Sequence, residues 1–516
     1  MTAPALMVQG TASSVGKSLL VTALCRFFRR EGVRVVPFKA QNMALNSAVT
    51  PDGLEIGRAQ AVQAEAAGLT PAVEMNPILI KPETDRCSQV VVMGKPIGSM
   101  TAVEYHAHKP RLQGVIADCL ATLKARYDLV LIEGAGSPAE INLKARDIVN
   151  MHVARVADAP VLLVGDIDRG GVFASFVGTL ELLEPDERER IAAFVVNKFR
   201  GDIALLQPGL DFLTERTRKP VLGVVPYVQQ LRIADEDSVS LEDRAGRRRP
   251  SRDQLDIVVV RLPRISNYDD VEALEHSPGV VVRFAERPEA IRGADLVILP
   301  GSKNTVSDLA WLRATGIAQV IAERAVAHEP VLGVCGGCQM LGETIDDPFG
   351  VESPEPRVAG LGLLPLRTRF ERAKTTAQVV ARTAASSFLA DAGTDVTGYE
   401  IHMGVVESTS PCASTFELLS RNGAAVQVMD GAIDATGSVV GTMLHGIFEN
   451  DGFRAGVLAR LRTRRGLDAP PTDAVSAKDA EYDRLEHALR SSIDCELLWK
   501  LARVRPAPKT KSRRIV

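Results

Sequence analysis

Apolar residues in the first half of the chain form short uninterrupted runs, separated by helix-length stretches of mixed polarity. The runs are rich in β-branched residues, which is typical of parallel strands buried on both faces. Six strands are predicted, at Ala5–Gln9, Val33–Phe38, Leu129–Glu133, Val161–Asp166, Phe194–Asn197 and Val221–Val225. This half is therefore predicted to be an α/β domain with a mostly parallel sheet.

The second half follows the same pattern with a different sequence. Buried strands are predicted at Ile257–Val260, Val280–Phe284, Leu296–Pro300 and Val331–Cys335, and hairpins in the Thr-, Val- and Gly-rich stretch 370–447. An arginine-rich stretch with few apolar residues, Ser240–Gln254, is typical of a solvated linker, or of a basic contact patch for an acidic substrate. The predicted division is a first domain at 1–235, a linker at 236–255, a second α/β domain at 256–451, and a helical C-terminal extension with a frayed tail at 452–516.

Composition excludes several classes of protein. The 516 residues carry a net charge of −3 and only 4% aromatic residues, which argues against a dedicated nucleic-acid binder. No apolar run approaches the roughly 20 residues of a membrane-spanning helix. The N-terminus lacks a secretory signal, and seven scattered cysteines fit a reducing compartment. We expect a cytoplasmic protein, and the sequence leaves its oligomeric state open.

The first predicted strand leads into a glycine loop and then into an apolar helix. Backbone N–H groups of such a loop, together with the helix N-terminus, bind phosphate. Lys17 is expected to reach the outer phosphates and the Ser18 hydroxyl to bind Mg²⁺, so ATP and Mg²⁺ are the expected ligands. Five residues, rather than four, separate the loop glycines, a variant found in dethiobiotin-synthetase-like nucleotide-binding proteins. The predicted phosphate-binding residues are Gly10, Thr11, Ser14, Val15, Gly16, Lys17 and Ser18.

Polar side chains follow other predicted strands at the edge where open α/β sheets bind ligands. Lys39 is predicted to be a second cation that neutralises a phosphoryl group. Glu133 is predicted to bind Mg²⁺, and Asp166 and Asp52 are further candidates, although Asp166 could hold a loop and Asp52 could simply make a turn. The Asn197 amide is predicted to contact adenine.

Four residues beyond Lys39 are candidates for contact with a polar substrate. Their amide and hydroxyl groups can hydrogen-bond a ligand, although polar residues are also ordinary in loops. They are Gln41, Asn42, Asn46 and Ser47.

The second half contains Gly-x-Cys-x-Gly around Cys335, between a predicted strand and a predicted helix. Small neighbours permit the sharp turn that exposes a nucleophile, and a helix N-terminus favours the thiolate. The spacing to Cys338 also allows a redox pair or a zinc site, but no second such pair accompanies it. Cys335 is therefore predicted to be a nucleophile.

A cysteine nucleophile needs a general base. His445 is the preferred candidate because glycines flank it after a strand-like run, and His402 is the alternative. Backbone N–H groups of the 299–304 loop, at Gly301, and of Gly336 are predicted to form an oxyanion hole.

These motifs together resemble the cobyric acid synthase family, the glutamine-dependent amidases of cobalamin biosynthesis. The resemblance covers nearly the whole chain to about residue 450. Besides the phosphate loop, it is carried by the segments Phe38–Ser47, Glu133–Leu143, Asp166–Gly171, Asn197–Asp202, Leu299–Thr305, Cys335–Gly342 and Gly441–Phe448.

The resemblance implies a P-loop amidoligase domain followed by a class I-type glutamine amidotransferase domain. Cys335 and His445 would hydrolyse glutamine, and Gln339 would help to bind it. The first domain would use ATP and Mg²⁺ to activate carboxylates of adenosylcobyrinic acid a,c-diamide, and ammonia would amidate the b, d, e and g positions. The partners are thus a corrinoid, ATP and glutamine.

One departure concerns the third catalytic residue. Many related amidotransferases have a carboxylate two residues after the histidine, where this chain has Ile447, and Glu449 is offset. The third member stays unassigned on sequence grounds. The alternatives are cobyrinic acid a,c-diamide synthase, a ligase with a degenerate second domain, which loss of glutamine use with retained ammonia use would reveal, and a partition-type P-loop switch ATPase, which would leave Cys335 and His445 unexplained.

Overall fold

The structure, a computed structural model, describes residues 2–229, 231–233, 250–468 and 478–506. Most of the predicted linker and the last ten residues of the predicted tail lie outside these residues. We call residues 2–233 the N-terminal part and residues 250–468 the C-terminal part. Among the described residues, no helix is both long and apolar enough to cross a membrane.

The N-terminal part is built around a parallel sheet of six strands. Its strands in chain order are β1 (Ala5–Gly10), β2 (Val35–Phe38), β3 (Gln41–Met43), β4 (Ser47–Val49), β5 (Glu55–Gly57), β6 (Ile78–Pro82), β7 (Cys87–Val92), β8 (Lys95–Thr101), β9 (Leu129–Glu133), β10 (Val161–Asp166), β11 (Ile191–Phe199) and β12 (Val221–Pro226). The six-stranded sheet has the order β12-β11-β10-β1-β9-β2. Its carboxyl edge therefore brings together the residues that follow β1, β2, β9, β10 and β11.

Helices cover both faces of this sheet. They are α1 (Lys17–Arg30), α2 (Arg58–Ala67), α3 (Ala102–Arg126), α4 (Ile141–Lys144), α5 (Met151–Ala157), α6 (Val172–Leu182), α7 (Pro185–Arg190) and α8 (Ile203–Thr217). Alternate residues of β1 enter two different apolar cores: Ala5 and Met7 pack on one face, and Leu6 and Val8 on the other. Burial on both faces explains why these strands are apolar at nearly every position.

The C-terminal part contains a second, mostly parallel sheet and a mostly antiparallel sheet. Its strands are β13 (Leu255–Val260), β14 (Ile265–Ser266), β15 (Val280–Ala285), β16 (Leu296–Leu299), β17 (Gly301–Ser302), β18 (Val331–Val334), β19 (Thr344–Asp346), β20 (Arg357–Ala359), β21 (Leu366–Thr383), β22 (Asp395–Ser408), β23 (Phe416–Arg421), β24 (Ala424–Asp430), β25 (Ala432–Ile433) and β26 (Val439–Thr442). The mostly parallel sheet has the order β15-β13-β16-β18-β26-β25, with only β25 antiparallel to its neighbour. In the mostly antiparallel sheet, β21 forms a long antiparallel pair with β22, and only β19 pairs with β21 in parallel.

Short helices complete the C-terminal part. They are α9 (Glu272–Glu275), α10 (Pro288–Ile291), α11 (Thr305–Ala314), α12 (Ile317–Val326), α13 (Gly336–Leu341) and α14 (Asp451–Arg465). Phe453, Val457 and Leu461 of α14 lie in the core of the C-terminal part.

Two further helices, α15 (Lys478–Arg490) and α16 (Cys495–Ala502), return to the N-terminal part. Leu485 and Leu498 pack in the same core as Phe27 and Phe28. The described helices of the predicted extension 452–516 therefore pack on both parts: α14 packs with the C-terminal part, whereas α15 and α16 pack with the N-terminal part.

The α/β fold predicted for both halves is confirmed, and each of the ten predicted strands is present. The strand predicted at Val331–Cys335 ends one residue earlier, because Cys335 has a positive φ of 51°. The hairpins predicted after residue 370 appear as β21 to β24. The small sheets formed by β3, β6, β7 and β8 and by β4 and β5 were not predicted.

Candidate active sites

The phosphate loop joins β1 to α1 and is held in shape by side chains. Gly16 has a φ of +93°, a conformation that glycine adopts without strain. Lys17 Nζ donates to the carbonyl oxygens of Ala12 and Gly136, at 3.0 and 3.2 Å. From β11, Asn197 Nδ2 donates to the Val15 carbonyl at 2.8 Å. The loop residues predicted from the sequence are therefore gathered at the carboxyl edge of the sheet.

Glu133 is the centre of a buried cluster beside this loop. Its Oε1 accepts hydrogen bonds from Ser18 Oγ at 2.9 Å and from Lys39 Nζ at 2.8 Å, and its Oε2 accepts from Gln63 Nε2 at 2.6 Å. Glu133 is 1% exposed and Lys39 5%. Three elements thus place a carboxylate, a hydroxyl and a cation at one point next to the phosphate loop.

A magnesium ion fits this donor set. Mg²⁺ takes oxygen ligands and usually binds through one or two protein groups together with substrate phosphates and water. Ser18 Oγ and Glu133 Oε1 are two such oxygens, 2.9 Å apart. The absence of a cluster of three or more metal-binding side chains from the described residues is no obstacle, because phosphate supplies the remaining ligands.

The other two acidic candidates occupy different surroundings. Asp166 forms an ion pair with Lys198 at 2.8 Å, and Lys198 also donates to the Ser14 carbonyl. Asp166 is the last residue of β10, on the opposite side of β1 from Glu133, so the structure favours its loop-holding role. Asp52 lies exposed in the turn between β4 and β5, as the alternative interpretation of that residue predicted.

The four substrate-side candidates are largely engaged in contacts within the protein. Gln41 Oε1 accepts from the Tyr105 hydroxyl at 2.5 Å, and Asn42 is buried and donates to Gln60 at 3.1 Å. Asn46 Oδ1 accepts from the Tyr268 N–H of the C-terminal part at 3.3 Å.

Ser47 also bonds across the boundary between the two parts. Its N–H donates to Asn267 Oδ1 at 3.1 Å, and its hydroxyl accepts from Lys81 at 3.0 Å. Asn46 and Ser47 therefore act at the junction of the two parts, a role that the sequence did not suggest. The reason is the unpredicted hairpin of β4 and β5, which extends toward the C-terminal part.

Cys335 occupies a strained turn between β18 and α13. Its φ and ψ of 51° and −109° are rare for a side-chain-bearing residue, as expected of a nucleophile elbow. No side chain fits at Gly337, in the first turn of α13, because an added Cβ would lie 2.0 Å from the Leu299 carbonyl oxygen. None of the seven cysteines, all of them among the described residues, forms a disulfide bond. Burial raises the pKa of the Cys338 thiol well above its usual value. This favours a packing role for Cys338.

His445 and Asp270 lie with Cys335 in the arrangement of a catalytic triad. His445 Nδ1 lies 2.6 Å from Asp270 Oδ2, and the other carboxylate oxygen of Asp270 accepts from the Gly446 N–H at 2.8 Å. Burial tends to lower the pKa of His445, but the Asp270 and Cys335 charges and their hydrogen bonds raise it to about 10. The Asp270 carboxylate thus favours the protonated form of the imidazole, which lies beside the Cys335 side chain.

The predicted oxyanion loop lies against the elbow. A Cβ added to Gly336 would lie 2.9 Å from the backbone nitrogen of Ser302, and one added to Gly301 would lie 3.1 Å from His445 Cε1. Gln339 is buried, and its Oε1 accepts from the Thr305 hydroxyl at 3.1 Å. His402, the alternative base, bonds to the Gly404 carbonyl and to Glu400 instead.

Two residues of the candidate sites, Asp270 and Gln63, were not predicted from the sequence. Asp270 precedes His445 by 175 residues, and the only available signal was a pair of acids, Asp269 and Asp270, after the buried strand β13. Gln63 lies in the middle of α2, and no local motif distinguishes it from an ordinary helix residue.

Two family models match the chain. Residues 6–241 match a CobQ/CobB/MinD/ParA nucleotide-binding domain, and residues 256–453 match a CobB/CobQ-like glutamine amidotransferase domain. Together with the phosphate loop and the triad, these matches define a glutamine-dependent amidotransferase joined to a nucleotide-binding domain.

The curated relatives specify the family. A cobyric acid synthase from Sorangium cellulosum is 63% identical over 97% of this chain and 99% of its own length. Those from Dehalococcoides mccartyi and Salmonella heidelberg are each 50% identical, covering 96% and 98% of this chain and 98% and 99% of their own lengths. The chain belongs to the cobyric acid synthase family, the glutamine-dependent amidotransferases and ligases of cobalamin biosynthesis. Neither the a,c-diamide synthase nor the switch ATPase is favoured.

Proposed function

We propose that the two sites divide the synthase reaction between them. The C-terminal part releases ammonia from glutamine, and the N-terminal part uses ATP to activate carboxylates of adenosylcobyrinic acid a,c-diamide. Amidation then takes place at the b, d, e and g positions. The observation that supports this most directly is the presence, in one chain, of the Cys335–His445–Asp270 triad and of the cluster around Glu133.

In the glutaminase step, the Cys335 thiolate attacks the amide carbon of glutamine. Backbone N–H groups of the 301–302 loop and of Gly336 stabilise the oxyanion. Protonated His445 gives its proton to the departing nitrogen, and ammonia leaves a glutamyl thioester. His445 then takes a proton from water, which attacks the thioester and releases glutamate. Gln339 would help to bind the glutamine.

In the ligase step, a substrate carboxylate oxygen attacks the γ-phosphorus of ATP and forms an acyl phosphate and ADP. A carboxylate by itself resists ammonia because its oxygen is a poor leaving group, and phosphorylation removes this obstacle. Lys17 and Lys39 neutralise the charge that develops on the transferring group. Ammonia then attacks the acyl carbon, phosphate leaves, and the amide loses a proton to solvent.

Ser18 and Glu133 would hold Mg²⁺, which when bound supplies charge neutralisation to the phosphates. Asn197, besides supporting the loop, is expected to contact adenine. We assign the ligase site to residues 1–235 and the glutaminase site to residues 256–451, joined by the linker 236–255. The substrates are small molecules, and we expect the reaction to take place in the cytoplasm without nucleic acid.

The test compares the wild-type protein with Cys335→Ala, using the corrinoid a,c-diamide, ATP and Mg²⁺. With glutamine, the wild type should produce the mass change of carboxylic acids that become amides, and Cys335→Ala should not. With ammonium salts, both proteins should produce it. No corrinoid mass change from the wild type with either nitrogen source, while ATP is still hydrolysed, would refute the proposed function.

A further inference from the structure

Arg58 is the first residue of α2 in the N-terminal part, and its guanidinium contacts the C-terminal part. Arg58 Nη2 lies 2.6 Å from Asp269 Oδ2 and donates to the Tyr399 hydroxyl at 2.9 Å. The same nitrogen donates to the Ser47 carbonyl at 3.2 Å. The Arg58 and Asp269 side chains are only 18% and 9% exposed, so this is a mostly buried ion pair across the junction.

Both contacts on the C-terminal part are immediate neighbours of the glutaminase base. Asp269 precedes Asp270, whose carboxylate holds His445 Nδ1. The Tyr399 ring stacks on the His445 imidazole, with centroids 5.2 Å apart and an interplanar angle of 17°. The backbones of Tyr399 and His445 also exchange two hydrogen bonds, of 3.1 and 2.9 Å. Arg58 therefore holds Tyr399, which stacks on the imidazole, and Asp269, which adjoins the carboxylate bonded to it.

We propose that Arg58 is a positioning residue for glutamine hydrolysis, supplied to the Cys335–His445–Asp270 triad by the ligase part of the molecule. The proposal rests on the proposed function of that triad. Without Arg58, the Asp269 carboxylate is left buried without its counter-charge, next to a second carboxylate. The Asp269–Asp270 segment and Tyr399 then shift, and a displacement of about 1 Å in a catalytic group can cost on the order of 10²-fold in rate.

Helix α2 connects this arrangement to the nucleotide site. About one and a half turns after Arg58, Gln63 bonds to Glu133 Oε2 and, at 3.4 Å, to the Ser18 carbonyl. One short helix thus contacts the nucleotide site at one point and the neighbours of the glutaminase base at another. The glutaminase is arranged so that its base is fully supported only when the ligase part is docked against it.

The experiment uses the full-length protein with Arg58→Met and Arg58→Lys. Methionine fills a similar volume without charge or donors, whereas lysine restores the charge but not the planar guanidinium that serves several acceptors. The control is Arg283→Met, which removes a comparably buried pair with Asp256 in the C-terminal part, 2.7 Å long. Each protein is assayed for glutaminase kcat and KM, for corrinoid amidation with ammonium, and for the rate of Cys335 alkylation by iodoacetamide.

Arg58→Met should lower glutaminase kcat by about 10²-fold, with a change in KM below about threefold, and should slow alkylation. Arg58→Lys should recover part of kcat. In both Arg58 variants the rate of ammonium-dependent amidation should stay within about twofold of the wild-type rate. Arg283→Met should likewise keep glutaminase kcat within about twofold of the wild-type value.

A wild-type kcat in Arg58→Met would overturn the proposal. So would an equal loss of glutamine- and ammonium-dependent amidation, which indicates a merely structural role. Failure of the wild type to amidate the corrinoid with ammonium would instead contradict the proposed function, so the two failures are distinguishable.

Discussion

At the scale of single residues, burial makes the charge of His445 depend on its neighbours. The imidazole is 1% exposed and lies between the Asp270 carboxylate and the Cys335 thiol. Burial opposes the charged form, but these two neighbours raise the pKa of His445 to about 10. Below that pH the imidazolium persists and can protonate the departing ammonia, and above it this proton is lost.

Asp270→Asn should therefore shift the basic limb of the glutaminase pH–rate profile to lower pH, because it removes the main charge that raises the His445 pKa. We also expect kcat to fall by about 10²- to 10⁴-fold. The measurement is glutamate release against pH. Asp395→Asn, at an exposed ion pair with Arg382, is the control and should match the wild type. An unchanged basic limb in Asp270→Asn would mean that another group sets the charge of His445.

Lys39→Met should affect only the ligase reaction. Its ammonium group lies 2.8 Å from Glu133, so its loss removes a buried cation from the site where phosphoryl charge develops. Ammonium-dependent amidation should fall by on the order of 10²-fold, while glutaminase activity persists. Lys219→Met is the matched control, since Lys219 bonds to the Ile191 carbonyl at the opposite edge of the sheet. Full ligase activity in Lys39→Met would exclude Lys39 from phosphoryl transfer.

At the scale of elements, α16 returns to cover the helix that follows the phosphate loop. The Trp499 ring contacts Phe27 and Phe28 of α1, with centroid distances of 5.6 and 5.1 Å. The far C-terminus of the described chain therefore stabilises the element that begins the nucleotide site.

Trp499→Ala should lower the free energy of unfolding of the N-terminal part by about 2 kcal/mol, because a partly buried aromatic is lost from a packed core. The urea midpoint for loss of nucleotide binding measures this effect. Trp499→Phe should retain most of the stability. Equal midpoints for Trp499→Ala and the wild type would show that α16 does not support α1.

The elements that could be predicted from the sequence are those that a local pattern identifies. Strands such as β1 and β9 are buried on both faces, so their continuous apolar runs identify them. The phosphate loop and the Cys335 elbow are equally local, since each depends on adjacent residues. The hairpin of β4 and β5 has strands of only three residues, which are too short for a periodic signal, and it contacts the C-terminal part through groups such as Ser47 and Asn267. Asp270 is similarly brought to His445 by the tertiary fold alone.

At the scale of the whole molecule, buried polar contacts join the two parts. Glu55 of β5 lies between Lys81 of its own part and Lys374 of β21, and these cations hold the pKa of the Glu55 carboxyl well below its usual value despite burial. Lys303, in the loop that carries Gly301, pairs with Glu83 at 2.7 Å. These pairs fix the orientation of the glutaminase relative to the ligase.

A fixed orientation favours a sheltered path for ammonia, which water would otherwise protonate. With amide-¹⁵N glutamine and excess unlabelled ammonium, the wild type should place mainly ¹⁵N in the corrinoid amides. Cys335→Ala, the control, should incorporate only unlabelled nitrogen. Dilution of the label in the wild type to the ratio in solution would show that ammonia passes through bulk water.

We propose that one chain joins glutamine hydrolysis to ATP-dependent amidation of a corrinoid. The most direct test measures glutamate, ADP and corrinoid mass in a single reaction of the wild-type protein with glutamine. We expect one glutamate and one ADP to form for each carboxylate converted to an amide. Glutamate and ADP formed without any change in corrinoid mass would contradict it.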